Sequence, residues 1–184
     1  MSDRYAARVG RLLREAARRC GGDLRLWRHF LNGLPAPVRR GLFQQWSWQA
    51  HGGQQEPPEG WTVWLLMAGR GFGKTRAGAE WVSERAREVP QARIALVGGS
   101  RDDVAKVMIE GPSGLISVAR LGEELQWTPT LGTLRFSSGA MAFVYSAEAP
   151  EALRGPEHDF AWADELAKWP LKRADWAWDN LMMG

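Results

Sequence analysis

One cysteine, Cys20, stands alone among 184 residues, so no internal disulfide framework and no multi-cysteine zinc site can form. The three histidines, His29, His51 and His158, have no metal-ligand spacing to one another and read as structural or exposed side chains. Long apolar runs are missing as well. None exceeds six residues, as in Val63–Ala68, against the roughly 18 that a membrane-spanning helix needs. The opening Met-Ser-Asp-Arg carries no apolar signal core. No nucleophile motif of the hydrolase type occurs. Charged residues, at 24%, are too few for a disordered polyelectrolyte, and 45% hydrophobic residues suffice for one full-sized domain. A soluble, cytoplasmic protein without membrane contact is the expectation.

What is present is unevenly placed. Residues 1–50 hold ten arginines against three acids, Asp3, Glu15 and Asp23, whereas acids outnumber bases in the rest of the chain. A basic arm on a mildly acidic body suggests an anionic partner such as nucleic acid. It is equally readable as a solvated helix face whose arginine stems shield apolar surface. Eleven tryptophans read as core or interface bulk more readily than as a base-stacking platform.

Periodicity divides the chain into an arm (1–48), a turn-rich linker (49–60) and a main domain (61–184). Tyr5, Val9, Leu12, Leu13, Ala16 and Cys20 recur at helical spacing and predict an amphipathic helix over 4–20, stopped by Gly21-Gly22. A second helix is expected over Asp23–Leu31. After the linker the pattern alternates. Thr62–Met67 predicts a buried parallel strand, Ala68–Thr75 a glycine-rich loop, and Arg76–Glu88 a helix ended by Pro90. Arg93–Val97 predicts a second buried strand, and Ser100 with Asp103 a helix cap opening residues 101–109. A hairpin is expected within Leu131–Tyr145 around Ser137–Ala140, and a further strand at Phe160–Ala163. Strands alternating with helices imply an α/β sandwich with a mainly parallel sheet.

Two segments carry chemistry. Ala68-Gly69-Arg70-Gly71-Phe72-Gly73-Lys74-Thr75 follows an expected strand and opens an expected helix. It matches a phosphate-binding loop except that Ala68 stands where glycine is usual. Glycines let successive backbone N–H groups turn inward and form an anion nest at a helix start. Gly69, Arg70, Gly71, Phe72, Gly73, Lys74, Thr75 and Arg76 are therefore the expected nucleotide contacts. Lys74 would neutralise phosphate, and the Thr75 hydroxyl would join the shell of Mg²⁺. The second segment is Phe160-Ala161-Trp162-Ala163-Asp164-Glu165, four apolar residues delivering two carboxylates to the ligand edge of a sheet. Asp164 is the expected metal ligand and Glu165 the expected general base. Arg70, inside the loop, and Arg154, ahead of the carboxylate strand, are candidates to meet transition-state charge. Arg154 is as readily a surface partner of Glu151 or Glu157. Gln54 and Gln55 are candidates to read an adenine edge, or else solvated loop residues.

The segments WLLMAGRGFGKTRAGAEWV (64–82), RIALVG (93–98), SAEAPEALRGPEHDFAWADELAKW (146–169) and DWAWDNLMMG (175–184) resemble the large terminase subunit of tailed bacteriophages and gene transfer agents. The resemblance covers roughly residues 45–184. It implies a P-loop NTPase three-layer sandwich, ATP with Mg²⁺, and a motor that drives double-stranded DNA into a capsid through a portal. A small terminase subunit and a homo-oligomeric ring are implied partners and assembly. In that family an arginine shortly before the carboxylate strand acts on a neighbouring subunit, which assigns Arg154 a catalytic role, and a glutamine ahead of the first strand binds adenine, which favours Gln55. The family pattern continues with a Thr-rich coupling strand and a nuclease of RNase H type. Residues 1–184 contain neither, so nuclease activity is not expected of them. Two alternatives stay open: a non-catalytic nucleotide- or DNA-binding fragment, or half of a split motor. A helicase of the same fold is a third, disfavoured by the Arg154-containing segment.

Overall fold

The structure, a computed structural model, describes residues 15–16, 18–43, 45–58 and 60–184. The chain divides into two compact units, Met1–Gln49 and Ala50–Gly184. Most of the helix expected over 4–20 lies outside the described residues; 15, 16, 18 and 19 are helical.

The first unit is built of short helices. Helix α1 (Leu24–Gly33) starts where Asp23 Oδ1 accepts from the backbone N–H groups of Arg25, at 2.8 Å, and Leu26. This satisfies two of the donors that a helix start leaves open. Trp27 and Phe30, three residues apart on one face, stack at 5.6 Å. Helix α2 (Ala36–Phe43) and the single turn α3 (Trp46–Gln49) follow. Neither was marked by the sequence periodicity.

The second unit is a three-layer α/β sandwich. Its sheet contains β1 (Arg93–Gly98), β2 (Gln126–Thr128), β3 (Thr133–Arg135), β4 (Met141–Ser146) and β5 (Phe160–Ala163). The order is β2-β3-β4-β1-β5. β1 runs parallel to both β4 and β5, while β2–β3 and β3–β4 are antiparallel. The expectation of a mainly parallel sheet thus holds only for β4, β1 and β5, at one side of the sheet. The hairpin is real: Gly139, at φ 94°, turns the chain between β3 and β4, a left-handed conformation that costs a residue without Cβ little.

β1 shows why the fold has three layers. Ile94 and Leu96 enter one apolar cluster while Ala95 and Val97 enter the other, because successive strand residues face opposite sides. On the first side lies α4 (Lys74–Glu88), with a π-helix at Val104–Ile109. On the second lies α5 (Ala174–Met183), which also holds a 3₁₀ turn through Asn180 Nδ2 donating to Pro150 O at 2.9 Å. Each fully buried Ile or Leu contributes about 1.5–3 kcal/mol of transfer free energy. Helix α4 approaches the sheet closely because most of its buried residues are small, Ala77, Gly78, Ala79, Ser83 and Ala86 beside Val82 and Glu80.

One expected element is not formed. Thr62–Met67 is no strand. Its residues alternate between partly buried (Trp64, Leu66) and exposed (Leu65 59%, Met67 83%), yet their backbone makes no hydrogen bond among the described residues. The alternation is that of a strand, but a strand also needs a neighbour. The nearest candidate, β5, pairs with β1 on one side, and its other side borders an open cleft of about 1280 Å³. Residues 60–68 line this cleft together with residues 158–168. The expected helix over 101–109 is also altered: one α turn, Arg101–Asp103, passes into the π-helix. Its cap is as expected, with Ser100 Oγ accepting from Asp103 N at 3.1 Å.

Candidate functional site

The glycine-rich loop runs from Ala68 to Gly73 and enters α4 at Lys74. Gly71 (φ 82°) and Gly73 (φ 87°) both take left-handed backbone, which reverses the chain before the helix begins. α4 opens at Lys74, two residues earlier than periodicity suggested, so Lys74 and Thr75 occupy its first turn. Their backbone N–H groups are among the unpaired donors of a helix start, where negative charge is favoured. Lys74 Nζ donates to Ala68 O at 2.8 Å and Gly69 O at 3.0 Å, so the ammonium lies across the mouth of its own loop.

The carboxylates come from the other wall of the cleft. Asp164 N donates to Val97 O at 2.9 Å, which extends the β5–β1 ladder one residue beyond β5 and releases the Asp164 side chain at the carboxyl end of the strands. That is the edge where open α/β sheets bind ligands. The Trp169 indole donates to Asp164 O at 3.1 Å and holds the turn that follows. Burial pushes the Asp164 carboxyl up from the ordinary carboxylate range, and the Glu165 charge adds to this, while Lys168 and Lys74 oppose it. A desolvated carboxylate beside a second acid favours a bound cation, which relieves both penalties.

Glu165 has φ 46° and ψ 54°, a left-handed conformation that is costly for a residue with a side chain. Conformations of this kind cluster at functional sites. Its carboxylate is paired with Lys168 three residues on, and this pairing pushes the Lys168 ammonium pKa upward. Lys168 was not singled out from the sequence. The spacing Glu-x-x-Lys in one helical turn was its only signal.

Lys74, Asp164, Glu165 and Lys168 therefore line one cleft. Thr75 is half-buried beside Lys74, and Arg70 is exposed at the loop tip. The Arg76 guanidinium turns along α4 to Glu80 Oε1, through Nε at 2.9 Å and Nη2 at 2.6 Å. Arg154 is exposed, just after the 3₁₀ turn Pro150–Leu153. Among the described residues no hydrogen bond or ion pair links it to Lys74, Asp164 or Glu165, nor to Glu151 or Glu157 through its side chain. Gln55 is exposed, whereas Gln54 is 7% exposed and reaches the loop itself. Its amide Nε2 donates to Phe72 O at 2.9 Å. Among the described residues no group of three or more His, Cys, Asp or Glu is placed to hold a metal ion alone. A cation here would need further oxygens beyond Asp164 and Glu165. None of the described helices is long and apolar enough to cross a membrane.

Comparison with known proteins bears on this arrangement. The chain is similar to the ATPase domain of the large terminase of Thermus phage P74-26, at 18% identity and a TM-score of 0.48, over 62% of this chain and 53% of that one. It thus spans about half the length of that domain. No curated protein matches the sequence. The family described as "Terminase large subunit, T4likevirus-type, N-terminal" matches residues 65–184, from just before the glycine-rich loop through both carboxylates to the end of α5. With well over half of its length matched, the chain belongs to the N-terminal family of T4-type large terminase subunits.

Proposed function

We propose that this chain is the nucleotide-hydrolysing part of a DNA-packaging motor, with ATP as fuel and double-stranded DNA as cargo. The observation that carries the reading is one cleft lined by Ala68 and Lys74, at the two ends of the glycine loop, and by Asp164 with Glu165. The donor set suits a magnesium nucleotide. Gly69, Arg70, Gly71, Phe72, Gly73, Lys74, Thr75 and Arg76 supply or shape an anion nest, and the Thr75 hydroxyl and the Asp164 carboxylate are hard oxygen ligands. Bound ATP-Mg²⁺ would supply the phosphoryl group and the charge that polarises it. Lys74 neutralises phosphate charge, and Asp164 fixes the cation side. Glu165 orients and deprotonates water once it is free of Lys168. Arg70 and Arg154 meet developing charge, the former from within the loop and the exposed Arg154 from one subunit of a ring to the next. Gln55 is the adenine contact in this reading. The ten arginines of residues 1–50 grip DNA by its phosphates, independent of sequence, as a translocating motor requires. The portal and a small terminase subunit complete the partner set.

A second reading is favoured by one observation. The segment that leads into the loop, Thr62–Met67, has no ladder, so the loop lacks the strand support that a cycling motor needs. On this view the chain holds nucleotide without turning it over until further polypeptide completes the sheet. One experiment separates the two. ATP binding and ATP turnover are measured with Mg²⁺ and double-stranded DNA for the wild type, Lys74→Ala and Glu165→Gln. Turnover lost in both variants, with binding kept in Glu165→Gln, supports the motor. Lys74-dependent binding without turnover supports the second reading. Equal ATP affinity in wild type and Lys74→Ala removes both.

A further inference from the structure

We infer that Gln54 is a positioning residue that sets the phosphate loop by holding two of its carbonyls, and that it does not read the nucleotide base. The inference rests on the reading of residues 68–75 as a phosphate site. Gln54 ends the 3₁₀ turn Gly52–Gln54, and its side chain is buried against the loop. Its Nε2 donates to Phe72 O at 2.9 Å and to Gly73 O at 3.4 Å, while its Oε1 accepts from His51 N at 3.2 Å. The amide orientation follows from these partners, since a flipped amide would set oxygen against two carbonyl oxygens. Both amide hydrogens are thereby used, which leaves no donor for a base edge.

The two carbonyls matter because of peptide geometry. In a planar trans peptide the C=O and the following N–H point in opposite directions. Fixing Phe72 O therefore aims the N–H of Gly73, and fixing Gly73 O aims the N–H of Lys74, to the side of the loop away from Gln54. Those are the donors an anion nest uses at the helix start. Gly73 O is further fixed by Ala77 N at 2.9 Å, the first bond of α4. The turn grips the loop through packing too. The His51 ring meets the Phe72 ring edge-on at 4.6 Å, and a Cβ on Gly53 would already press on Phe72 Cζ at 3.0 Å. Glycine at 73 is favoured by its φ of 87°, and a Cβ there would also displace the Gln54 amide from the loop.

The test uses the full chain and a ligand that has no base. Affinities for ATP and for inorganic tripolyphosphate are measured in the wild type, Gln54→Glu and Lys74→Ala. Gln54→Glu keeps the shape and the acceptor to His51 but turns the donor into an acceptor facing two carbonyls. The expected result is a fall of about tenfold or more for both ligands, by the same factor, as for the loss of the two hydrogen bonds that Nε2 donates. Hydrogen exchange without ligand should quicken at Gly71–Thr75 while exchange in β1 stays unchanged. ATP binding weakened with tripolyphosphate binding intact would mean that Gln54 reads the base, and would overturn the inference. Unchanged affinity for both ligands with unchanged exchange in the loop would also overturn it. ATP binding that ignores Lys74 in the wild type would instead remove the phosphate-loop reading, and this inference with it. If Gln54→Glu does not fold, Gln54→Met, which removes the donors without adding charge, gives the same comparison.

Discussion

Replacing Gly78 with alanine tests how α4 is seated over the strand that carries the carboxylates. On helix propensity alone the change stabilises an interior helix position by about 1 kcal/mol. Tertiary packing opposes it. A Cβ built on Gly78 would stand 2.6 Å from Trp162 Cζ2, and nearer still to Cε2. The indole is 8% exposed and sits on β5 opposite Leu96 of β1, so it cannot swing aside as the tip of a flexible chain would. Overpacking of this kind costs about 1–3 kcal/mol, which leaves Gly78→Ala destabilised by up to about 2 kcal/mol. Urea unfolding followed by far-UV circular dichroism reads this as a lower midpoint at unchanged slope. The decisive measurement is the cycle with Trp162→Leu. In that background the ring is gone, and Gly78→Ala should stabilise by about 0.5–1 kcal/mol, so the two changes couple strongly. Stabilisation by Gly78→Ala in both backgrounds would refute the seating of α4 on Trp162.

Other outcomes follow from charged groups of the second unit. Burial lowers the His158 pKa below its ordinary 6.5, so the unfolded chain binds this proton more readily than the folded one. His158 therefore contributes stability fully above pH 6.5, and the contribution is lost as pH falls from 6.5 through the lower folded-state value. His158→Gln should flatten the dependence of the urea midpoint on pH in that window, and an identical profile would exclude His158 as its source. The Arg87–Glu123 pair is bidentate, at 2.6 and 2.9 Å, and Arg120 N donates to the same carboxylate. Glu123→Gln takes the acid from Arg87 and leaves Arg120 only its longer contact with Glu84, at 3.9 Å, and should destabilise by about 1–3 kcal/mol in the same assay. Wild-type stability would mean that the pair is satisfied by solvent.

Much of the second unit was legible because its signals are local. β1 and β5 are short apolar runs at the right spacing, Ser100 announces its cap, and Gly139 its turn. The loop residues Gly71, Gly73 and Lys74 and the carboxylates Asp164 and Glu165 stand out from type and order as candidates, because phosphate and cation chemistry restrict which residues can serve, and the fold brings Lys74, Asp164 and Glu165 to one cleft. The strand β2, three residues long, fell below any periodic signal. Resemblance favoured Gln55 over Gln54, and neighbouring positions in one loop gave no sign that Gln54 is the one buried against Phe72 and Gly73.

Residue order alone carried the local preference for helix, strand or turn along most of the second unit, and the candidate charged side chains of the cleft. It did so because those preferences depend on a few adjacent residues. Tertiary structure decided the distant pairings: that β1 takes β4 and β5 as its parallel neighbours, and that Gly78 meets Trp162. Thr62–Met67 shows the difference most sharply. Its apolar residues license a strand, but a strand exists only when a second backbone supplies hydrogen bonds, and the facing side of β5 stands across an open cleft.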